Sequence, residues 1–473
     1  MKKFLACFLA IVMTLALCAC GGNAGGSETT QAAAEGLQIG YARESILPEG
    51  QVNMSGYGNQ AHRISTGYLD IIAATCLAAS ENGNTVLLFS TDTLTAKDNW
   101  TAEARALITE ATGVPGENIQ IGGTHTHSSP AVGGSEALTL QWKPIYMNAL
   151  VNAAKKAIAD LAPATMYGAK AQTEKLTFVR HYLMENGRYA QSSTPTNQLV
   201  DYATKPNEEL LMVKFDRPED KKDIALMNFQ FHPTFTGSDQ ATNLSADGVG
   251  AIRDIFEKET GMHFIYFTGS AGNQNASSRL PQESVSATGV AQMKVFGQKV
   301  CDYAFEAMKN MEEIGGSGVA AKQEALCYNS NNYGLDRLVD AKKAVEMFDS
   351  DGDANKASQY AISLGFTSVY ECRGIVANAS RAASYTMDLN VVRIGDLGFV
   401  AAPYEMFSDS AFQIREGSPF KYTVISSITN HYWNYFPTKD AYEKGCYESY
   451  TAVFASGIAE ATADKFVEML KGL

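Results

Sequence analysis

The sequence predicts an α/β fold: a single large domain of mixed sheet flanked by helices. Three observations lead there. The chain has 473 residues, 45% hydrophobic and 19% charged, which is enough apolar material for a large core and not the composition of a disordered chain. From Leu37 onward, short apolar runs of strand character alternate with amphipathic helical stretches, the order that builds a sheet covered by helices. No internal repeat interrupts that order.

The elements follow in turn. TVLLFSTDTL (85–94) reads as a buried strand, and WTAEARALITEATG (100–113) as a helix closed by Gly113. IQIGGTHTHS (119–128) is a second strand with a polar end, and the helix from Lys143 to Leu161 stops before Pro163. DIALMNFQFHP (223–233) is a strand ending in His232 and Pro233, followed by a helix over 247–259. HFIYFTGSAGNQN (263–275) breaks into a Gly-rich turn before a long helix over 289–312. GGSG at 315–318 is the best linker candidate. Strand-like NVVRIGDLGFVAAP (390–403) and a helix over 449–471 nevertheless resume the alternation, so residues 37–473 read as one domain with a helical insertion near 335–365.

The start of the chain is a targeting segment. Lys2 and Lys3 precede an apolar run from Phe4 to Leu17, shorter than the ~20 residues of a membrane-spanning helix, so residues 1–19 read as a signal peptide. The run ends in LCAC (17–20), which resembles a bacterial lipobox. Cleavage before Cys20 and acylation of its thiol are expected, with 20–36 a flexible Gly/Ser/Ala tether; plain secretion is the alternative. The expected location is the bacterial cell envelope, lipid-anchored on the outer face of the cytoplasmic membrane, or secreted. Five further cysteines (76, 301, 327, 372 and 446) have no metal spacing and read as small buried hydrophobes with room for one or two disulfides. Lys+Arg 38 against Asp+Glu 51 gives a net charge of −13, which repels phosphate backbones and excludes nucleic acid as a partner.

Three of the seven histidines, His125, His127 and His232, sit where strands are expected to end. Residues i and i+2 of a strand share a face, so the THTH pair would project together past the sheet edge, and paired neutral imidazoles are a local start to a zinc site. A polar strand end with solvated histidines satisfies the same pattern.

IGGTHTHSSPAVGG resembles the metal-binding segment of the neutral/alkaline non-lysosomal ceramidases, and other segments resemble that family in the same order. They are NMSGYGNQ (53–60), FVRHYLMENGR (178–188), FHPTFTGSDQATNLSADGVG (231–250), FTGSAGNQN (267–275), APYEMF (402–407) and NYFPTKDAYEKGCYE (434–448). The resemblance implies one zinc per chain at the strand ends, held by His125, His232, Glu405 and Tyr435. It implies that His127 handles protons, that Arg180 and Tyr447 contact the substrate's amide carbonyl, that Gly56 lies against the substrate, and that Asp247 orients a ligand histidine from behind. Core tyrosines, a helix-end carboxylate and an N-cap are the structural alternatives for Tyr435, Tyr447, Glu405 and Asp247. The sequence departs from the family at Gly272-Asn273-Gln274-Asn275, where the family's turn carries a serine, so a serine nucleophile there is excluded. It also stops at Leu473, without the family's C-terminal β-sandwich.

The implied activity is zinc-dependent hydrolysis of the N-acyl amide of ceramide or a related N-acyl lipid to fatty acid and amine by metal-activated water. The alternatives are the same centre acting on another amide or ester, or a solute-binding lipoprotein. A binding protein has no need of four ligands from four segments, and the two similar halves usual in that class are missing from the sequence. The expected partners are a small amide substrate and the membrane reached through the anchor.

Overall fold

The apolar runs fold into three mixed sheets. The computed structural model describes residues 36–57, 63–190, 194–237 and 239–473. The signal peptide, Cys20 and all of the tether but Gly36 lie outside them. The first sheet comprises β1 (Gln38–Ser45), β2 (Ala73–Glu81), β3 (Asn84–Thr91) and β4 (Ile119–Gly123), with a short edge strand at Ala162–Pro163. The second comprises β5 (Thr165–Gln172), β6 (Glu209–Asp216), β7 (Ile224–Phe229), β8 (His263–Thr268) and β9 (Glu312–Ile314). The third comprises β10 (Val319–Asn329), β11 (Ser384–Ile394), β12 (Leu397–Ala401) and β13 (Tyr422–Ser426).

Each sheet is antiparallel except at one edge, where β3 pairs with β4, β7 with β8, and β12 with β13 in parallel. A parallel pair needs a crossover, and a helix lies in each: α1 (Asp98–Thr112) in the first, with α2 (Ala137–Ala159) following; α3 (Asp247–Thr260) in the second, with α4 (Val290–Met308) following. The insertion is three helices, α5 (Leu338–Asp351), α6 (Ala354–Ser363) and α7 (Val369–Asn378). The third crossover holds α8 (Ser408–Gly417), and the chain closes through α9 (Lys439–Lys444), α10 (Tyr447–Thr451) and α11 (Ile458–Lys471).

Strand alternation explains why these runs read as continuously apolar. Leu77 and Leu88 of the first sheet, Leu211, Val213 and Phe267 of the second, and Val392 and Phe399 of the third share one core where the sheets face each other. Their neighbours point outward to helices: Leu87 and Phe89 to Trp100 and Trp142, Met212 and Phe264 to Phe256 and Val300, Val391 and Val400 to Ile414 and Phe466. The insertion instead has a small core of its own around Phe348, Phe366 and Ile375.

Several expectations are corrected. The run at 390–403 is the end of one strand and the whole of the next, folded back at Gly395-Asp396, where Gly395 has φ 55°. The helix expected over 449–471 is α10 and α11, separated by an irregular stretch that ends at Gly457 with φ 95°. The five cysteines of the domain are all free thiols, four of them buried, so no disulfide joins them. Among the described residues, no helix is long and apolar enough to cross a membrane.

Candidate active site

The candidate catalytic side chains lie beyond the carboxyl ends of the parallel strands of all three sheets, where α/β sheets leave crevices for ligands. His125 and His127 follow β4, His232 follows β7, and Glu405 follows β12. Each sheet supplies part of one cluster.

The histidine pair meets by a different route from strand alternation. The strand ends at Gly123, and His125 takes φ 67°, a left-handed conformation uncommon for a non-glycine residue. That turn sets the two rings edge to face with centroids 5.0 Å apart. Local bonds hold it: the His125 amide donates to the Thr93 carbonyl at 3.0 Å and its Nδ1 to the Leu94 carbonyl at 2.9 Å. His127 Nδ1 donates to the Gly56 carbonyl at 2.9 Å. Gly56 itself has φ 113°, and a Cβ there would stand 2.6 Å from His127 Cα, so only glycine allows this approach.

These backbone bonds fix the tautomers. A carbonyl can only accept, so Nδ1 carries the proton on His125, on His127 and on His232, whose Nδ1 donates to the Gln274 carbonyl at 3.2 Å. In the neutral rings every Nε2 therefore presents a lone pair. His125 Nε2 and His232 Nε2 lie 3.2 Å apart, and Glu405 Oε2 lies 3.3 Å from the first and 3.2 Å from the second. Three acceptor atoms thus face one another in an almost equilateral triangle, with both side chains of each pair buried. Ligands at zinc bond lengths of ~2.0–2.1 Å in a tetrahedron have edges of about 3.3–3.4 Å, so the residues present fit zinc. One shared proton could bridge only one edge of the triangle.

Electrostatics point the same way. Burial, then the Arg180 charge, lowers His232 to about 4, so its imidazole is neutral at pH 7. Burial, then His125 and His232, holds His127 well below the usual histidine range. Its Nε2 is buried without a hydrogen-bond partner.

The other expected residues surround this triangle. Glu405 and Tyr435 are direct partners in a short parallel ladder, so backbone pairing places them side by side. Arg180 lies with its Cζ 5.4 Å from the Tyr435 ring centroid and its Nη1 3.2 Å from His232 Nε2. The Tyr447 ring is 5.8 Å from that of Tyr435 and is 42% exposed, so it stands at the mouth. Among the described residues, Asp247 has no histidine partner. Its carboxylate accepts from the amides of Phe235, Thr236 and Gly248 and from the Thr236 hydroxyl, and Thr236 meets Ser128 at 2.9 Å. It orders the loop after His232, while the rings themselves are oriented by the carbonyls of Leu94, Gly56 and Gln274.

Three residues were missed by sequence reasoning. The Tyr432 hydroxyl donates to Glu405 Oε1 at 2.6 Å, leaving Oε2 to the triangle. Glu448 receives Arg180 Nε at 2.7 Å and Nη2 at 2.6 Å on Oε1, and His181 Nε2 at 2.5 Å on Oε2. Glu448 adjoins Tyr447 and His181 adjoins Arg180 in sequence, which is the signal that could have drawn attention to them. Two cavities open beside the triangle, of ≈ 650 Å³ and ≈ 440 Å³, and Tyr370 and Tyr447 line both.

Buried, mutually facing titratable groups beside a cavity at strand ends define an enzyme site. The profile of the family described as neutral/alkaline non-lysosomal ceramidase, N-terminal, matches residues 38–320, and the chain belongs to that family, whose members hydrolyse amide bonds. Two solved structures share the fold. One is titled as a ceramidase complexed with C2 (TM-score 0.68, 15% identity, covering 92% of this chain and 75% of that one). The other is the neutral ceramidase from Pseudomonas aeruginosa (TM-score 0.66, 17% identity, 92% and 74%). No curated protein matches the sequence.

Proposed function

We propose that the chain is a zinc-dependent amidohydrolase that cleaves the N-acyl bond of ceramide or a related N-acyl lipid to fatty acid and amine. The observation that carries this reading is the triangle of acceptor atoms on His125, His232 and Glu405, 3.2–3.3 Å on a side. These residues, with Tyr435 as the fourth, would hold one zinc per chain. Zinc, when bound, activates water and polarises the scissile carbonyl.

The protein's own groups do the rest. His127, neutral and with a free lone pair on Nε2, takes a proton from the attacking water and returns it to the leaving nitrogen. Arg180, fixed by Glu448, and Tyr447 at the mouth donate toward the carbonyl oxygen as negative charge grows there. Gly56 lines the cavity and keeps the His127 ring in place through its carbonyl. The same reading makes residues 37–473 the catalytic domain of a bacterial envelope lipoprotein, anchored through acylated Cys20.

The test is elemental analysis of protein purified without chelator, with fatty-acid release from a panel of N-acyl substrates. About one zinc per chain and release from N-acyl sphingoid amides are expected. Full activity in metal-free protein would sink the mechanism. Mass spectrometry of the mature N-terminus checks the anchor; an unmodified terminus beyond Cys20 would show plain secretion.

A further inference from the structure

The helical insertion supplies one wall of the smaller cavity. Tyr370, Arg373, Gly374 and Ala377 of α7 recur at helical spacing and present a single face to it. The contact is close: a Cβ at Gly374 would stand 2.2 Å from the Tyr450 carbonyl oxygen, so α7 lies directly on α10. Tyr370 then meets Tyr447 edge to face at 5.7 Å. The insertion is therefore part of the site.

The charge on this wall is unusual for an acidic chain. Arg373 and Arg381 line the cavity, and no carboxylate does so among the described residues. Neither arginine pairs with a carboxylate among those residues. Arg373 is exposed and lies with its Cζ 5.0 Å from the Phe348 ring centroid, while Arg381 Nη1 is used by Asn378 and the carbonyls of Ala452 and Val453. Among the described residues the aliphatic lining is Leu94 and Ala377 with Gly56 and Gly374, and the other lining residues are polar or tyrosine, which suits a charged group better than a hydrocarbon tail.

We infer that this cavity binds an anionic group of the substrate, a carboxylate or a phosphate, through Arg373 with Arg381 beside it. Guanidinium groups suit both anions, forming two parallel hydrogen bonds to either. This rests on the amidohydrolase reading and narrows it: the preferred N-acyl amides carry an anion away from the scissile bond.

The test compares three amides of one acyl chain, N-octanoylglycine, N-octanoylphosphoethanolamine and neutral N-octanoylethanolamine. Hydrolysis by zinc-loaded protein should favour the anionic amides by about 10- to 100-fold in kcat/KM, the worth of a charged hydrogen bond. Whichever anionic amide leads identifies carboxylate or phosphate as the source. Arg373→Gln should collapse the ratio and Arg373→Lys should keep part of it. Equal turnover of charged and neutral amides, or a ratio unchanged in Arg373→Gln, overturns the inference. If no amide is hydrolysed, the amidohydrolase reading fails, and calorimetric binding of the same three compounds to chelator-treated protein decides the cavity separately. Tighter binding of the anions, lost in Arg373→Gln, upholds it, and equal binding overturns it.

Discussion

His125, His232 and Glu405 bring three acceptor atoms to within 3.2–3.3 Å of one another; a few residues away, His181 Nε2 and Glu448 Oε2 lie 2.5 Å apart. Arg180 touches both clusters. The residue types are almost the same, and the spacing separates their chemistry. A 2.5 Å separation is that of a short charge-assisted hydrogen bond, and the charges favour an imidazolium against a carboxylate. Burial alone would push His181 down, but the Glu448 charge, with Cys446 nearby, raises it to about 10. In the triangle the ring protons are committed to backbone carbonyls on the far side, and the separations suit ligands around an ion. His181, Cys446 and Glu448 are also close enough together to be a candidate metal group, and there the 2.5 Å His181–Glu448 hydrogen bond spans the gap between two of the three.

The sharpest way to break this comparison is His232→Ala, which removes one corner of the triangle. Zinc content and fatty-acid release should vanish together; retained zinc would show that the triangle is not the metal site. His127→Ala comes next. It should keep zinc and slow turnover by about 10²- to 10⁴-fold, the range of a lost general base. Zinc lost from His127→Ala but kept in His125→Ala would mean that the two histidines have exchanged roles.

Glu448→Gln attacks the other cluster. Removing one partner of a buried ion pair costs about 3–5 kcal/mol, readable by urea denaturation, while zinc content stays. Tyr432→Phe deletes one hydrogen bond to Glu405, and metal affinity measured by competition with a chelator should fall about 10- to 100-fold. The most gradual effect is on pH dependence. His181 binds its proton more tightly in the folded chain than in the unfolded one, so its contribution is complete below about pH 6.5 and is lost as pH rises toward about 10. Stability should decline across that window by at most about 1.4 kcal/mol per pH unit from this group, and Glu448→Gln should flatten the slope. An unchanged slope would place the proton elsewhere.

The two clusters also differ in how far sequence reveals them. His125 and His232 stand out because each follows an apolar strand. That inference named two residues that the structure brings together, although His125 enters through a left-handed turn that strand periodicity does not encode. Glu405 and Tyr435 carry no local signal; their pairing in a short ladder depends on the third sheet's crossover, so only family resemblance points to them. Tyr432, His181 and Glu448 depend on segments far apart in sequence closing on each other. The strands were legible because both faces are buried, and for the same reason two hairpin strands read as one run at 390–403. The insertion was legible as helical, but its contact with the site was not, because that depends on Gly374 meeting the backbone of α10.

On the proposed reading, drawing one ligating side chain from each sheet would tie metal capture to the order of synthesis. A ribosome delivers His125 early, His232 midway and Glu405 last, so a nascent chain would offer imidazoles but no Glu405 carboxylate until the third sheet has emerged and docked. Ion binding would then stabilise only the fully assembled state, by mass action, and a chelator should lower the melting temperature of the whole domain. A protease cut between α5 and α6, in a segment with its own small core, would leave all three corners in place.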